Sequence, residues 1–165
     1  MQPAFANTLA AAAQAEGISV VVETCGMCDP DVLLTLAKHA DLFLYDIKET
    51  DPIRHRAYTG ADPQRILDNL RALDASGHPT VLRCPVIPGL NDRADHMGGI
   101  ATIANALQHV QAIELMPYHP LGQGKAERFG IQGDPALPQH VMAKRDAETL
   151  AKYLRDRTHI AVRVS

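Results

Sequence analysis

The chain has 165 residues, of which 46% are hydrophobic and 21% are charged, a composition typical of one domain with an apolar core. A net charge of -3 gives no electrostatic reason to expect a nucleic acid or an anionic membrane as a partner. No apolar run approaches the roughly 18 residues that span a bilayer, and three cysteines are typical of a reducing compartment. We therefore expect a cytoplasmic protein whose residues 1–165 form a single domain.

Helix and strand signals alternate through the first half of the chain. The predicted elements are helix Pro3–Glu16, strand Ile18–Val22, helix Asp31–Ala40, strand Leu42–Tyr45, a short helix from Pro52 to near Gly60, and a helix from Pro63 that ends at Gly77. Asp-Pro pairs precede three of these helices, as expected for an N-cap followed by a first-turn proline. The dense β-branched run Ile18–Val22 predicts a strand that is buried on both faces.

The second half continues the alternation but contains one long loop. The predicted elements are strand Thr80–Ile87, helix Asp92–Val110, strand Ala112–Met116, a Gly/Pro-rich loop Pro117–Pro138, helix Gln139–Arg157 and strand Ile160–Val164. About five strands that alternate with helices predict an α/β fold with a parallel sheet. Five strands do not close the eight-stranded barrel of ~250 residues, so the sheet is either open or an incomplete barrel.

Polar side chains follow four of the predicted strands at the point where each strand ends. They are Glu23 with Thr24, Asp46 with Lys48, Arg83, and His119. The carboxyl ends of parallel strands are where α/β folds place their active sites. Asp46 and Lys48 are two residues apart, so their side chains are expected on the same face of the sheet.

Arg83 interrupts a strand that is otherwise apolar. A buried guanidinium needs an anionic partner. That partner is either a bound ligand or, in a purely structural interpretation, the carboxylate of Asp46.

Five motifs occur in order along nearly the whole chain. They are Glu23-Thr24-Cys25-Gly26, Tyr45-Asp46-Ile47-Lys48, His55 to Gly60, Arg83 to Gly89, and Leu115 to Gly122. Together they resemble the activating enzymes of glycyl radical enzymes, the radical S-adenosylmethionine group typified by pyruvate formate-lyase activating enzyme.

This resemblance implies a fold, two cofactors and two protein partners. The fold would be a partial (β/α) barrel, here an incomplete set of about four βα units plus a C-terminal strand. The cofactors would be S-adenosylmethionine and a 4Fe-4S cluster, whose electron generates a 5'-deoxyadenosyl radical. That radical would abstract hydrogen from a glycine of a partner glycyl radical enzyme, with flavodoxin or ferredoxin as electron donor.

The resemblance also implies roles for the residues at the strand ends. In the family the acid-x-Lys pair contacts the ribose and carboxylate region of the cofactor, and the acidic-Thr pair lies near its methionyl group and, in some members, a monovalent cation. The arginine points toward the cofactor and the substrate glycine loop, and the histidine lies beside the adenosine. The cofactor-binding residues expected here are Glu23, Thr24, Asp46, Lys48, Arg83 and His119.

The chain departs from the family in two elements that hold the cofactors. The CxxxCxxC loop that binds the cluster is absent, and so is a Gly-Gly-Glu-Pro element that grips the methionyl amine. We therefore expect Met1 to be an internal methionine, with about 60 residues, or two βα units of ~30 each, missing before it. No metal ligand is predicted, and the chain alone is expected to be inactive. The strand that begins at Ile18 would then be an edge strand, and the chain alone is expected to be poorly soluble or self-associated.

Two other functions remain open at this stage. In the first, Lys48 is the nucleophile of a Schiff-base aldolase-like barrel, with Asp46 or Glu23 moving protons. In the second, the chain is a nonenzymatic fragment or binding module that retains only the fold.

Overall fold

Five parallel strands form one sheet in the computed structural model, which describes residues 2–120, 129–130 and 137–165. The strands are β1 (Val21–Thr24), β2 (Leu42–Asp46), β3 (Thr80–Val86), β4 (Val110–Pro117) and β5 (Ala161–Val164). Their spatial order is β1-β2-β3-β4-β5, so each strand pairs with its neighbours in the sequence. The predicted α/β class, with four βα units and a closing strand, is confirmed.

Six helices accompany these strands within the described ranges. They are α1 (Pro3–Ala15), α2 (Pro30–Ala37), α3 (Pro52–Thr59), α4 (Pro63–Ala75), α5 (Ala94–Asn105) and α6 (Lys144–Arg155). The predicted Asp-Pro starts are confirmed, because the side chains of Asp29, Asp51 and Asp62 each accept a backbone N–H of the first turn. None of the described helices is long and apolar enough to cross a membrane.

The two faces of the sheet differ in burial. Right-handed crossovers that always step to the next strand place their helices on one face, and Phe43, Tyr45, Leu82 and Leu115 are fully buried there. The residues that alternate with them along the strands are only partly buried. We call that second face the open face. Its charged residues on the strands are Glu23, Asp46, Arg83, Glu114 and Arg163.

The first strand differs from its prediction. It runs over Val21–Thr24 instead of Ile18–Val22, and Ile18 is 59% exposed and Val21 53% exposed. The prediction of a strand buried on both faces is wrong, whereas the predicted edge position is confirmed, because β1 is the first strand of the sheet. A β-branched run reports strand propensity and does not report how many neighbours the strand has.

Several other predicted boundaries also move. The helix predicted to reach Val110 ends at Asn105, because Val110 already pairs with Thr80 as the first residue of β4. The last helix begins at Lys144 instead of Gln139. Most of the predicted loop Pro117–Pro138 lies outside the described residues.

Candidate functional site

A row of alternating charges crosses four neighbouring strands on the open face. In the register of the sheet, Asp46 pairs with Arg83, Arg83 pairs with Glu114, and Glu114 pairs with Arg163. Residues paired in this way point to the same side of the sheet, and adjacent strands lie about 4.8 Å apart. The row therefore presents an acid, a base, an acid and a base across a surface about 15 Å wide.

Arg83 bridges this row to the edge strand. Its Nη1 lies 2.5 Å from Oε2 of Glu23, its Nε donates to the sulfur of Met116 at 3.1 Å, and Nε lies 3.9 Å from Oε2 of Glu114. The structural interpretation named Asp46 as the partner of Arg83, but Arg83 forms its ion pairs with Glu23 and Glu114 instead. The side chain of Arg83 is 14% exposed and that of Glu23 is 61% exposed, so the Glu23 contact is open to solvent and easily exchanged for a ligand.

Asp46 has an unsatisfied carboxylate in the centre of the site. Its Oδ1 is buried without a hydrogen-bond partner. Burial raises the pKa of Asp46, and the positive charges of Lys48 and Arg83 partly offset that shift. A buried acceptor without a donor is costly unless a ligand supplies one, so this oxygen marks the position where a donor group of a ligand would be stabilised.

Lys48 lies two residues beyond Asp46, after the end of β2, and is exposed. The positive charge of Lys48 opposes the rise in the pKa of Asp46 that burial causes. Asp46 and Lys48 line the same pocket, and the pair offers an anionic and a cationic group to one ligand.

The loop immediately after Lys48 is anchored by a buried ion pair that the sequence did not reveal. Glu49 is 3% exposed, and Nη2 of Arg93 donates to both of its carboxylate oxygens at 3.2 and 3.0 Å. The backbone N–H of Thr50 donates to Oε1 of Glu49 at 2.8 Å and lies 3.1 Å from Nδ1 of His96. Burial lowers the pKa of His96, which keeps the imidazole neutral and able to accept at Nδ1.

His119 lies on the other side of the site, beyond β4. It lines a cavity of about 360 Å³ together with Pro85, Ile87, Met116 and Ser165, among others. The walls formed by the proline, isoleucine and methionine side chains are apolar, and Met116 also contacts Arg83. His119 therefore shares a cavity with Met116, the residue that contacts Arg83 in the charged row.

Thr24 is separated from the other predicted site residues. It pairs with the buried Tyr45 and follows Glu23 directly, so its side chain points away from the open face. Its hydroxyl accepts the N–H of Gly26 at 3.0 Å. Gly26 has a φ of +70°, and a Cβ there would lie 1.6 Å from the hydroxyl oxygen of Tyr45. The side chain of Thr24 therefore organises this tight turn.

Glu114, Met116 and Arg163 were missed by the sequence reasoning. Glu114 is the one charged residue within the predicted strand Ala112–Met116, and that exception could have identified it. Arg163 is likewise the one charged residue within the predicted strand Ile160–Val164. Met116 gave no chemical signal, because methionine in a strand is usually a packing residue.

The described residues do not form a metal centre. No group of three or more His, Cys, Asp or Glu side chains within the described ranges is placed to hold a metal ion. Cys25, Cys28 and Cys84 are free thiols. Burial raises the pKa of Cys28 and of Cys84.

Comparisons with known proteins identify the family to which this chain is similar. The model of the radical SAM superfamily matches residues 1–97. The choline trimethylamine-lyase activating enzyme of Oleidesulfovibrio alaskensis is 38% identical over 144 residues, which are 83% of this chain and 46% of that protein. The isethionate sulfite-lyase activating enzyme of Nitratidesulfovibrio vulgaris is 37% identical over 151 residues, which are 88% of this chain and 48% of that protein.

The chain thus spans about half the length of the curated relatives it matches. Among solved structures, a domain of pyruvate-formate lyase-activating enzyme from Bacteroides vulgatus superposes with a TM-score of 0.81. That match covers 99% of this chain and 91% of the other at 19% identity, so it supports the fold alone.

Proposed function

The chain belongs to the radical SAM superfamily, and we propose that it forms the S-adenosylmethionine-binding strand ends of an activating enzyme for a glycyl radical enzyme. The names of the two curated relatives support the activating role. The proposed protein partner is a glycyl radical enzyme, and the proposed electron donor is flavodoxin or ferredoxin. A cytoplasmic setting is proposed on the strength of the three free thiols.

The observation that carries this proposal is the unsatisfied carboxylate of Asp46 within the row of alternating charges. S-adenosylmethionine is itself a ligand of mixed charge, with a carboxylate, an ammonium group, a sulfonium centre and two ribose hydroxyls. A ribose hydroxyl can donate to the free oxygen of Asp46, while Lys48 and Arg83 can bind the carboxylate. Glu23 and Glu114 remain available to the cationic groups.

The cavity beside His119 supports the same ligand. Its volume of about 360 Å³ lies within the ~300–1,000 Å³ of small-molecule pockets. Apolar walls from Pro85, Ile87 and Met116 suit the faces of an adenine ring, and the imidazole of His119 offers a polar edge. The proposed orientation therefore places the adenine at β3 and β4 and the ribose toward Asp46 on β2.

The residues of this chain do not fit a 4Fe-4S cluster. The sequence contains no CxxxCxxC spacing, and the described residues hold no candidate metal centre. When bound and reduced by one electron, S-adenosylmethionine supplies the radical that removes hydrogen from a glycine. We assign to this chain the binding and orientation of that cofactor, and we assign it no step of electron transfer.

Calorimetric titration of the chain with S-adenosylmethionine tests the proposal. We expect saturable binding that Asp46→Asn and Arg83→Ala each weaken by at least about tenfold, which corresponds to the ~1.4 kcal/mol of one charge-assisted hydrogen bond. Glu148→Gln on the exposed surface of α6 is the control and should bind as the unaltered chain does. The absence of any binding at millimolar ligand would refute the proposal.

The aldolase alternative finds less support in the geometry. A Schiff-base lysine is activated by removal from water or by a neighbouring cation, whereas Lys48 is exposed and lies near a carboxylate. Borohydride trapping of a carbonyl substrate on Lys48 would favour this alternative over cofactor binding.

A further inference from the structure

Asn91, a buried side chain outside the charged row, connects the ends of the two strands that carry most of the candidate site. It lies in the turn after β3 and is 3% exposed. Its Nδ2 donates to the carbonyl oxygens of Lys48 at 2.9 Å and of Pro85 at 2.8 Å, and its Oδ1 accepts the N–H of Ile87 at 2.6 Å. One amide therefore uses both donors and its acceptor on backbone groups at or just beyond the ends of β2 and β3.

The need for this bridge arises from the sequence of β3. The backbone ladder between β2 and β3 continues as far as the N–H of Ile47, which donates to the carbonyl of Arg83 at 2.8 Å. The next donor on β3 would be residue 85, which is proline and has no N–H. The two strand ends would separate at this point unless another donor joined them, and Asn91 supplies it.

We propose that Asn91 is a positioning residue that holds Lys48 at a fixed separation from the end of β3, the strand that carries Arg83. It does so without touching the ligand itself, because its three bonds are all to backbone atoms. A site built from several strand ends binds tightly only when those ends are already in place. The ligand named here rests on the proposed function, whereas the bridge between the strands is independent of it.

Two variants separate this role from a general contribution to folding. Asn91→Ala removes all three bonds. Asn91→Asp keeps an acceptor for Ile87 but removes both donors, so it preserves the turn and breaks the link to Lys48. The matched control is Asn105→Ala, which removes a donor to the carbonyl of Arg157 at 2.9 Å and an acceptor for Thr158 at 2.6 Å at the opposite end of the sheet.

Amide hydrogen exchange, measured by NMR at temperatures equally far below each variant's Tm, provides the ligand-independent test. In Asn91→Ala we expect the amides of Ile47 and Ile87 to exchange at least about tenfold faster, while the mid-sheet amide of Phe43 is unchanged. In Asn91→Asp only Ile47 should lose protection. Asn105→Ala should leave both amides protected.

Calorimetry with S-adenosylmethionine then measures the consequence for binding. We expect both Asn91 variants to bind about tenfold more weakly, and Asn105→Ala to bind as the unaltered chain does. If the unaltered chain does not bind, the proposed function fails while the exchange data still decide the bridge. Unchanged exchange at Ile47 in both Asn91 variants, or equal loss in Asn105→Ala, would overturn the inference.

Discussion

Asp46→Asn should make the chain more stable while it weakens cofactor binding. Burial raises the pKa of the Asp46 carboxyl above its ordinary value of 3.8 in the unfolded chain. Folding therefore favours the protonated form, and the ionised carboxylate destabilises the fold once the pH exceeds the folded-state pKa. The substitution removes that charge, so the free energy of unfolding rises at neutral pH.

The size of the gain follows from the unsatisfied oxygen. An unsatisfied buried polar group costs about 1–3 kcal/mol, and Asp46 is only half-buried, so the lower end applies. A gain of about 1 kcal/mol corresponds to a rise in Tm of about 2–4 °C in a chain of this size. The gain should disappear as the pH falls through the folded-state pKa, because the unaltered carboxyl is then protonated as well.

Thermal unfolding from pH 3.5 to 8, combined with titration of the cofactor at pH 7.5, checks both effects. The control is Asp62→Asn at the start of α4, where a backbone bond to Gln64 and the Arg56 guanidinium lower the pKa of the carboxyl. Stability from Asp62 is present at neutral pH and is lost on acidification, so this variant should show no gain. A fall in Tm for Asp46→Asn at pH 7 would refute the account of the site.

Four further outcomes are expected. Glu23→Gln should change stability by less than about 1 kcal/mol in chemical denaturation, because its ion pair with Arg83 is largely exposed. Tyr45→Phe should lower the free energy of unfolding by about 1–2 kcal/mol without changing cofactor affinity, since the buried hydroxyl donates to the carbonyl of Ile66 at 2.6 Å on the helix side. Anaerobic reconstitution with iron and sulfide should give no stoichiometric 4Fe-4S absorbance. Val21→Lys on the exposed edge strand should reduce self-association in sedimentation experiments.

Much of the fold was predictable because the elements carry local signals. The Asp-Pro pairs and the glycines predicted where several helices begin and end. The alternation of strands and helices predicted a parallel sheet. The edge position of β1 was predicted, but burial of its two faces was predicted wrongly, because a β-branched run does not report what covers a strand. The early end of α5 was also missed, since the pairing of Val110 with Thr80 is a long-range contact.

The candidate site was predictable where side chains follow the strand period and unpredictable where they act on the backbone. Asp46 and Arg83 fall in the same row because their strands are in register. The same period could have separated Thr24 from Glu23, since neighbours along a strand point to opposite faces. Asn91 had no such signal: its role depends on three backbone atoms brought together by the fold and on the missing N–H of Pro85.

The alternation that sorts the side chains also explains how the site is held in place. Asp46 lies between Tyr45, which is fully buried, and Ile47, which is nearly so. Arg83 lies between Leu82 and Cys84, which are both fully buried. Each charged side chain is thus fixed by core residues on either side of it, so it cannot shift along the sheet without opening a cavity in the helix-covered face. An unsatisfied carboxylate can therefore persist in the absence of ligand, because the packing that surrounds it stabilises the fold by more than the carboxylate costs.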